Sequence, residues 1–140
     1  MTIRQAILSD AKSIQLLLSQ LGYPDIDEQT ALEKIEVHSR TGYRLLVAEN
    51  NTQVVGFIAL HWFELMHWKG KMGRMTAFCV DENFRSQGVG KQLLVASENL
   101  LHLQGCAKFE VTSNGRRTRT HGFYLKNGYV EDSKRFVKYA

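Results

Sequence analysis

The sequence predicts an α/β (α+β mixed) fold, with a central mixed but mostly antiparallel β-sheet flanked by about four α-helices. Short β-type runs alternate with amphipathic helical segments along the 140 residues. Two of these runs are joined by a short polar turn, which is typical of an antiparallel hairpin. A later run passes through glycines into a helix and then into another strand, which indicates a strand–helix–strand crossover.

The N-terminal segment is predicted to form a strand and an amphipathic helix. Ile3–Ile7 has the composition of a short strand. Ser9 or Asp10 can cap the helix that follows, and Gly22 ends it. The apolar residues of this helix recur at the spacing of one helical face, and they are Ile14, Leu17, Leu18 and Leu21.

A second helix and a hairpin come next. Asp27 can cap a helix that reaches about His38. Arg44–Glu49 and Gln53–Leu60 are β-type runs on either side of a short polar turn, so they are predicted to pair as a hairpin. Gly56 lies inside the second run, where an isolated glycine indicates a bulge.

The crossover is predicted in the second half of the chain. His61–Gly70 is rich in aromatic and imidazole side chains and is expected to be a solvated loop with partly buried aromatic rings. Met75–Val80 is short and apolar enough for a buried central strand. The helix after it stops at Gly105, and Lys108–Thr112 forms a further strand.

The C-terminal segment is predicted to contain one more helix and a closing hairpin. The helix runs through His121–Lys126 and is ended by Asn127 and Gly128. Tyr129–Val130 and Arg135–Tyr139 can then pair as two strands. Because the chain has the length of one typical domain and contains no repeat or linker, residues 1–140 are expected to form a single domain.

The composition argues against a membrane protein. The chain is 44% hydrophobic and 23% charged, as in ordinary soluble globular proteins. No apolar run approaches the roughly 18 residues of a membrane span. The first residues also lack the apolar core of a signal peptide. We therefore expect a cytoplasmic protein that has no membrane partner.

The two cysteines, Cys79 and Cys106, lie in apolar surroundings and lack the Cys-x-x-Cys spacing of redox or metal sites. We expect both to be reduced, buried and structural. A catalytic thiol at Cys79 is the alternative, although no partner residue lies near it in the sequence.

The net charge of +4 comes partly from one basic region. Its cationic residues are Lys108, Arg116, Arg117, Arg119 and Lys126. Such a patch can bind nucleic acid, but the interleaved aromatic residues of an RNA-binding sheet are missing. A polyanionic cofactor explains the charge equally well, and we expect no nucleic-acid partner.

The stretch Val80–Leu94 links the central strand to the crossover helix and has the features of an anion-binding turn. Gly88 and Gly90 give the backbone freedom to turn, and they leave no side chain over its amides. The N-terminus of the helix carries unpaired amides and a partial positive charge, with Arg85 and Lys91 beside it. A phosphate or pyrophosphate suits this arrangement.

Two phosphate-binding motifs do not fit this stretch. A P-loop needs a glycine six residues before Lys91 and a hydroxyl residue after it, but Arg85 and Gln92 stand there. A dinucleotide-binding fingerprint needs a small residue three positions after Gly90, where Leu93 stands. An ordinary glycine-rich turn that caps a core helix remains the alternative to an anion site.

The six residues Arg85-Ser86-Gln87-Gly88-Val89-Gly90 resemble the Arg/Gln-x-x-Gly-x-Gly/Ala signature of the GNAT superfamily of N-acetyltransferases. The stretch Phe123–Tyr129 is similar to the Phe-Tyr-x-x-x-Gly-Phe/Tyr ending of the same family. The predicted order of strands and helices agrees with the GNAT fold over essentially the whole chain. The resemblance therefore implies a GNAT-like domain at residues 1–140.

The resemblance also implies acetyl-coenzyme A as the cofactor. The Arg85–Gly90 loop would hold its pyrophosphate, and the central strand would splay from its neighbour so that main-chain amides meet the pantetheine and the thioester. The residues implied in cofactor binding are Phe78, Cys79, Val80, Arg85, Ser86, Gln87, Gly88, Val89, Gly90, Lys91, Arg117, Phe123 and Lys126.

Tyr124 occupies the position at which the family commonly places its general acid. A phenol with a pKa of about 10 is well matched to a departing alkyl thiolate. The structural alternative is a core aromatic residue in the last helix.

The chain departs from the family pattern at two places. Many relatives carry an asparagine seven residues before the catalytic tyrosine, where this chain has Arg117. Some relatives use an acidic residue of the central strand as the general base, and this chain has no acidic residue there. His61, Glu64 and His67 are therefore the candidate bases. A histidine pair can also bind metal, but the spacing matches no structural zinc site, and we expect no metal.

The expected substrate is a small primary amine. Asp25 and Asp27 suit a cationic acceptor, whereas His61, His67 and the arginines near the final helix suit an anionic one. Leu60-His61 and the ending Arg135–Lys138 look somewhat like aminoalkylphosphonate N-acetyltransferases. Other acceptors compatible with the family are aminoglycosides, polyamines, amino acids, and protein N-termini or lysines. A non-catalytic acyl-coenzyme A-binding or regulatory module is the remaining alternative, and the resemblance is compatible with a homodimer.

Overall fold

The computed structural model describes residues 1–112, 118–132 and 135–140, except for the side chains of residues 118 and 119. Five strands form one sheet in the order β1-β2-β3-β4-β5. The first three pairings are antiparallel, and β4 pairs with β5 in parallel. The strands are β1 (Thr2–Gln5), β2 (Tyr43–Asn50), β3 (Gln53–Leu65), β4 (Trp68–Val80) and β5 (Cys106–Val111).

Four α-helices cover the sheet in this part of the chain, which confirms the predicted fold class. They are α1 (Ala11–Leu21), α2 (Glu28–Val37), α3 (Val89–Leu103) and α4 (Thr118–Lys126). Short 3₁₀ turns at Leu8–Asp10 and Glu82–Phe84 precede α1 and α3. The helix α3 is the predicted crossover between the parallel strands β4 and β5.

The helix boundaries follow the capping residues of the sequence. Gly22 adopts φ 111° directly after α1, which is the left-handed conformation that ends a helix. Asp27 caps α2, because its carboxylate accepts a hydrogen bond of 2.7 Å from the amide of Thr30. These two positions confirm the predicted end of the first helix and start of the second.

The sheet has two differently covered faces. The helices α1 and α2 pack on one face through residues such as Ile14, Leu17 and Ile35. On the opposite face, Leu93, Leu94 and other residues of α3 pack against the strands, together with residues from the α4 end of the chain. We call these the α1/α2 face and the α3/α4 face. Neighbouring residues of a strand point to opposite faces.

Four register shifts interrupt the described strand pairings, and two of them add a single residue to β3 or β4. The pairing of β2 with β3 shifts so that Val55 is an extra residue on β3, beside Gly56. The bulge predicted near that glycine is therefore confirmed. Between β3 and β4 the pairing shifts again, and Thr76 is the extra residue on β4.

Two predicted elements are wrong. His61–Gly70 is not a solvated loop, because β3 continues to Leu65 and β4 already starts at Trp68. Cross-strand pairs such as His61 with Arg74 and Phe63 with Met72 extend the hairpin over these residues. Only a short turn at Met66 and His67 remains between the two strands.

The closing hairpin of Tyr129–Val130 and Arg135–Tyr139 is the second wrong prediction. Within the residues that the structure describes, neither segment pairs as a strand. Tyr129 is drawn back against the end of α4 by a hydrogen bond from its amide to the carbonyl of Tyr124. Val130, Phe136 and Tyr139 are 82%, 92% and 89% exposed, so they are not packed as residues of a paired strand would be. The β-type composition of these segments was therefore not enough to form a hairpin.

Arg4 ties three parts of the fold together. Its guanidinium donates to both carboxylate oxygens of Asp10 at 2.9 and 3.0 Å and to Glu49 at 2.7 Å. The same carboxylate of Asp10 accepts a hydrogen bond from the amide of Ile7 at 2.8 Å. Asp10 is buried while Arg4 and Glu49 are partly exposed, so β1, β2 and the start of α1 meet at a partly buried charged group.

Replacing Asp10 with asparagine should lower the free energy of unfolding by about 3 kcal/mol, because it leaves Arg4 partly unpaired beside a buried amide. Burial alone would raise the pKa of Asp10, but the hydrogen bonds from Arg4 and Ile7 outweigh it and lower the pKa below its ordinary value. Urea unfolding of both proteins at several pH values measures the difference.

Because the folded-state pKa of Asp10 is lowered, its stabilising contribution should be complete above about pH 4 and be lost as the pH falls through the folded-state value. The gap between wild type and Asp10→Asn should therefore narrow in acid. Asp25→Asn, at an exposed aspartate, is the matched control. A gap that stayed constant from neutral pH to pH 2 would contradict this assignment.

Candidate active site

The strands β4 and β5 separate at one end of the sheet. Their parallel pairing begins at Lys71 and Cys106 and ends at Met75 and Val111. β4 continues to Val80, so its last five residues lack β5 as a neighbour. On that side, β5 therefore provides no hydrogen-bond partners for the backbone of these five residues.

A cleft of about 1180 Å³ occupies this split. The bulged residue Thr76 and the predicted contact residues Phe78, Cys79 and Val80 line it from β4. Thr112 lines it from the end of β5. The splayed central strand that the sequence led us to expect is thus present, and it forms the floor of the cleft.

The wall formed by the α3 N-terminus has the geometry of an anion site. Gly88 adopts φ 84° at the N-cap of α3, and no heavy atom beyond its chain neighbours lies within 4 Å of the position that a Cβ would take. The first amides of a helix have no partner within it, and here the amide of Gln92 makes the first helical bond to the carbonyl of Gly88. A side chain on Gly88 would fill the space in front of those amides.

The preceding loop is held in place by short-range hydrogen bonds. Arg85 donates from Nε to the carbonyl of Val80 at 3.3 Å, and Gln87 donates to the carbonyl of Asn83 at 3.3 Å. Ser86 adopts φ 63° and lines the cleft. Such positive φ values are uncommon outside glycine, and this one turns the loop toward α3.

The predicted cofactor residues do not all present side chains to the cleft. The side chain of Val89 is buried in the α3/α4 core with 2% exposed, so only its main chain faces the loop. Gln87 is exposed and is not among the residues lining the cleft. Arg117 lies outside the described residues. The cationic side chains that line the cleft are Lys34, Arg85, Lys91 and Lys126, and no described carboxylate accompanies them.

This donor set fits a polyanionic cofactor such as coenzyme A. Amides at a helix N-terminus and lysine and arginine side chains are the groups that bind phosphate. The open cradle in front of Gly88 leaves room for a phosphate at the amides themselves. The apolar side chains of Phe78, Val80 and Phe84 line the same cleft and suit an aliphatic arm.

The opposite wall of the cleft is α4, which carries Tyr124. The ring of Phe123 contacts Phe78 edge to face at 6.0 Å and lies next to the α-carbon of Gly90. Tyr124 lines the cleft and has 8% of its surface exposed. The structure therefore brings together the two sequence signatures, one on each wall.

A polar contact joins α4 to the start of α3. Lys91 donates from Nζ to the side-chain oxygen of Asn127, whose side-chain nitrogen donates to the carbonyl of Phe123 at 2.8 Å. Lys91 also lines the cleft. A predicted phosphate ligand is thus in contact with the helix that carries Tyr124.

The mouth of the cleft on the α1/α2 face is lined by the end of α1 and the segment that leads to α2. The lining residues there include Leu18, Gln20, Tyr23 and Ile26. Gln20 also accepts a hydrogen bond of 3.0 Å from the amide of Glu82, which fixes the end of α1 to the loop before α3. Two sides of the cleft are therefore tied to each other.

The candidate bases do not line the cleft. His61 lies on the α1/α2 face, where its ring stacks on Tyr43 at 4.3 Å and its Nδ1 hydrogen bonds to the carbonyl of Gly42 at 2.9 Å. Glu64 is exposed near the tip of the β3–β4 hairpin, opposite Lys71. His67 is exposed in the turn. The structure thus brings none of these three to Tyr124.

Arg74 and Glu110 form an ion pair that the sequence did not reveal. They are cross-strand partners immediately before the split, and Arg74 donates from Nε to Glu110 at 2.7 Å. The guanidinium also lies 5.1 Å from the ring centre of Phe63. Since the two residues are 36 positions apart, only the register of β4 against β5 could have indicated the pair.

Neither cysteine forms a disulfide and both are buried, as expected. The thiol of Cys79 donates to the carbonyl of Leu17 at 3.4 Å, which joins β4 to α1. Among the residues that the structure describes, no three His, Cys, Asp or Glu side chains gather as a metal site would require. None of the described helices is long and apolar enough to cross a membrane.

Comparison with known proteins places this geometry in a family. Residues 41–131 match the acetyltransferase (GNAT) domain family. That match spans more than half of the chain and includes the split strand, the α3 N-terminus and Tyr124. The chain belongs to the GNAT acetyltransferase family.

Individual relatives agree with this assignment. An aminoalkylphosphonate N-acetyltransferase from Salmonella typhimurium strain LT2 is 30% identical over 139 residues, which cover 97% of this chain and 89% of the relative. The crystal structure of a transcriptional regulator from Bacillus halodurans C-125 superposes with a TM-score of 0.91 at 19% identity, over 99% of both chains.

A third relative was solved with coenzyme A. The aminoglycoside N-acetyltransferase AAC(6')-Iy, in complex with CoA, superposes with a TM-score of 0.84 at 20% identity, over 99% of this chain and 93% of that one. At such identities the two structural neighbours establish the shared fold alone. The family match and the curated relative identify the chain as an acetyl-coenzyme A-dependent N-acetyltransferase.

Replacing Gly88 with alanine should weaken coenzyme A binding by about tenfold, because the added Cβ would stand in front of the α3 amides and displace one phosphate contact. The backbone at this residue also needs a left-handed conformation, which costs an L-residue about 1–2 kcal/mol. Isothermal titration with coenzyme A and a thermal melt of the free protein separate the two effects.

Gly105→Ala is the matched control. Gly105 has φ 88° and equally open space at its Cβ position, but it lies at the other end of α3. Both variants should lose similar stability, and only Gly88→Ala should lose affinity. Equal affinities for coenzyme A in the two variants would contradict the phosphate site.

Proposed function

We propose that this chain binds acetyl-coenzyme A in the β4–β5 split and transfers the acetyl group to the primary amine of a small molecule. The observation that carries the proposal is the arrangement of the cleft: a helix N-terminus with an open glycine on one wall, and Tyr124 on the other. When bound, acetyl-coenzyme A would supply a thioester, and the products would be an amide and free coenzyme A.

The loop and the first turn of α3 would hold the phosphates. Main-chain amides after Gly88 and the side chains of Arg85 and Lys91 are the proposed contacts. Lys126, on α4, lines the same cleft and can neutralise a further phosphate charge. Phe78 and Val80 would pack along the aliphatic arm, and main-chain groups of β4 beyond its last pair with β5 would supply hydrogen bonds.

Tyr124 is the proposed general acid. It is nearly buried, and it lines the cleft from the wall opposite the phosphate site. There it would give its proton to the sulfur of coenzyme A as the thioester bond breaks, because a thiolate that stays charged is a poorer leaving group. The surrounding rings of Phe78 and Phe123 restrict its orientation.

A base must accept a proton from the acceptor, because an ammonium nitrogen has no lone pair for attack. We propose that His61, which does not itself line the cleft, does so through water. Its Nδ1 hydrogen bonds to a carbonyl, which can only accept, so Nδ1 carries the hydrogen and Nε2 of the neutral ring is the nitrogen that takes up a proton. Glu64 is not retained in this role, because it lies at the hairpin tip.

The proposed acceptor is an amine that also carries an anionic group. Arg74 uses only Nε toward Glu110, and within the described residues its two terminal nitrogens have no hydrogen-bond partner. Those nitrogens match a phosphonate or carboxylate in geometry and charge. Arg74 directly precedes the cleft-lining residue Met75 without lining the cleft itself, and Lys34 is a cation in the cleft lining. The aminoalkylphosphonate activity in the name of the Salmonella relative agrees with this acceptor class.

Replacing Tyr124 with phenylalanine should lower kcat by about a hundredfold or more, the usual contribution of a positioned general acid. The affinity for acetyl-coenzyme A should stay within about twofold, because the ring that lines the cleft remains. Thiol release in steady state and isothermal titration measure the two quantities. Tyr139→Phe, at an exposed position, is the control. Unchanged turnover in Tyr124→Phe would show that Tyr124 is not the general acid.

Replacing Arg74 with glutamine should raise KM for 2-aminoethylphosphonate by about 10- to 100-fold, the worth of a hydrogen bond to a charged group. KM for ethanolamine, which has a neutral hydroxyl in place of the phosphonate, should change little. Arg44→Gln is the matched control, since Arg44 lies over Trp62 on the opposite face. If wild type did not prefer the phosphonate to ethanolamine, the anionic acceptor would be refuted.

A further inference from the structure

The end of α4 is held by a residue that the proposed reaction does not use. We propose that Tyr129 and Glu98 form a positioning pair that fixes Tyr124 in the cleft by anchoring the last turn of α4 to α3. This inference rests on the proposed function, in which Tyr124 is the general acid. Neither member of the pair lines the cleft.

The first step of the argument is the backbone at the end of α4. Gly128 adopts φ 90°, and its amide donates to the carbonyl of Leu125 at 3.2 Å. The amide of Tyr129 donates to the carbonyl of Tyr124 at 3.0 Å. These two bonds form a Schellman turn, in which the residue after the left-handed glycine is bonded to the third residue from the helix end. Tyr129 is therefore bonded directly to the main chain of Tyr124.

The second step is the contact between the two rings. Their centroids are 5.8 Å apart at an interplanar angle of 56°. Such tilted ring pairs attract each other beyond the effect of the area that they bury. Tyr129 thus contacts Tyr124 through both its main chain and its ring, so a displacement of one is transmitted to the other.

The third step is the anchor. The hydroxyl of Tyr129 donates to Oε2 of Glu98 at 2.8 Å, and it lies 3.8 Å from the sulfur of Met75. Glu98 is on α3, in the same helix whose first turn forms the phosphate site. Burial comes first among the causes that raise the pKa of Tyr129 above its ordinary value, and the hydrogen bond and charge of Glu98 add to it. The hydroxyl therefore stays protonated and keeps donating through neutral and moderately alkaline pH.

The fourth step is the need for such an anchor. On α4, Leu125 is 59% exposed and Gly122 is exposed, so one side of the helix makes few apolar contacts. Another polar tie to α3, among the residues that the structure describes, is Lys91 with Asn127, and Lys91 is a proposed phosphate ligand. Glu98 supplies a tie that ligand binding does not disturb. An acid must be held within about 0.5 Å of its productive position to be effective.

The test compares Tyr129→Phe, Glu98→Leu and Glu98→Gln with wild type. Phenylalanine keeps the ring but removes the donor, and leucine removes the acceptor. Glutamine keeps a side-chain oxygen that can accept a hydrogen bond from Tyr129, so Glu98→Gln should retain turnover. We expect kcat to fall by about tenfold in Tyr129→Phe and Glu98→Leu, the size of a lost hydrogen bond to a charged group. KM for acetyl-coenzyme A and turnover of Glu98→Gln should stay within about twofold.

A second measurement does not depend on turnover. Amide hydrogen exchange of the free protein, followed by mass spectrometry of peptides that cover α4, should be faster in Tyr129→Phe and Glu98→Leu and unchanged in Glu98→Gln. Peptides from α1 should exchange as in wild type. Glu33→Leu, at an exposed position on α2, is the matched control for losing a carboxylate.

A double-mutant cycle with Tyr124→Phe distinguishes positioning from general destabilisation. If Tyr129 acts through Tyr124, Tyr129→Phe should not lower kcat further in the Tyr124→Phe background. Independent, multiplicative losses in the double variant would overturn the proposal, and so would wild-type exchange of α4 in Tyr129→Phe. If Tyr124→Phe alone kept full turnover, the proposed function of Tyr124 would fail instead, and exchange would then decide whether the pair anchors α4.

Discussion

The active-site geometry depends on one constraint, which is that the hydrogen-bonded pairing of β4 with β5 stops at Met75 and Val111. A parallel pair that continued would satisfy the backbone of β4 and leave no cleft. Because it stops, β5 gives the last five residues of β4 no backbone partner, and a cleft that a ligand can fill opens beside them. The bulge at Thr76 adds to this effect, because it locally disturbs the pairing with β3 on the other side of the same strand.

The elements around the split are fixed to one another so that the cleft keeps its shape. Gln20 ties α1 to the loop before α3, and the thiol of Cys79 ties β4 to α1. On the other wall, α4 is tied to α3 through Lys91 at one point and Glu98 at another. Binding groups on rigid elements are positioned more accurately than groups on free loops. In the proposed mechanism, the same helix, α3, therefore serves both the phosphate site and the placement of Tyr124.

The sequence could predict the parts of the site that local chemistry determines. The left-handed turn at Gly88, the capped ends of α1 and α2, and the position of Tyr124 all depend on residues close together in the chain. The Arg74–Glu110 and Tyr129–Glu98 contacts could not be predicted, because they join residues 36 and 31 positions apart. Those contacts depend on the register of β4 against β5 and on how α4 packs. Neither can be read from the local pattern of a single sequence.

The two buried cysteines have a practical consequence for enzymology. Reagents such as disulfide dyes react with the thiolate rather than the thiol and must reach the sulfur. Cys79 and Cys106 are each 5% exposed, and burial raises the pKa of the Cys106 thiol. The chain has no other cysteine. The folded enzyme should therefore contribute little background colour when the coenzyme A released in each turnover is titrated directly in the cuvette.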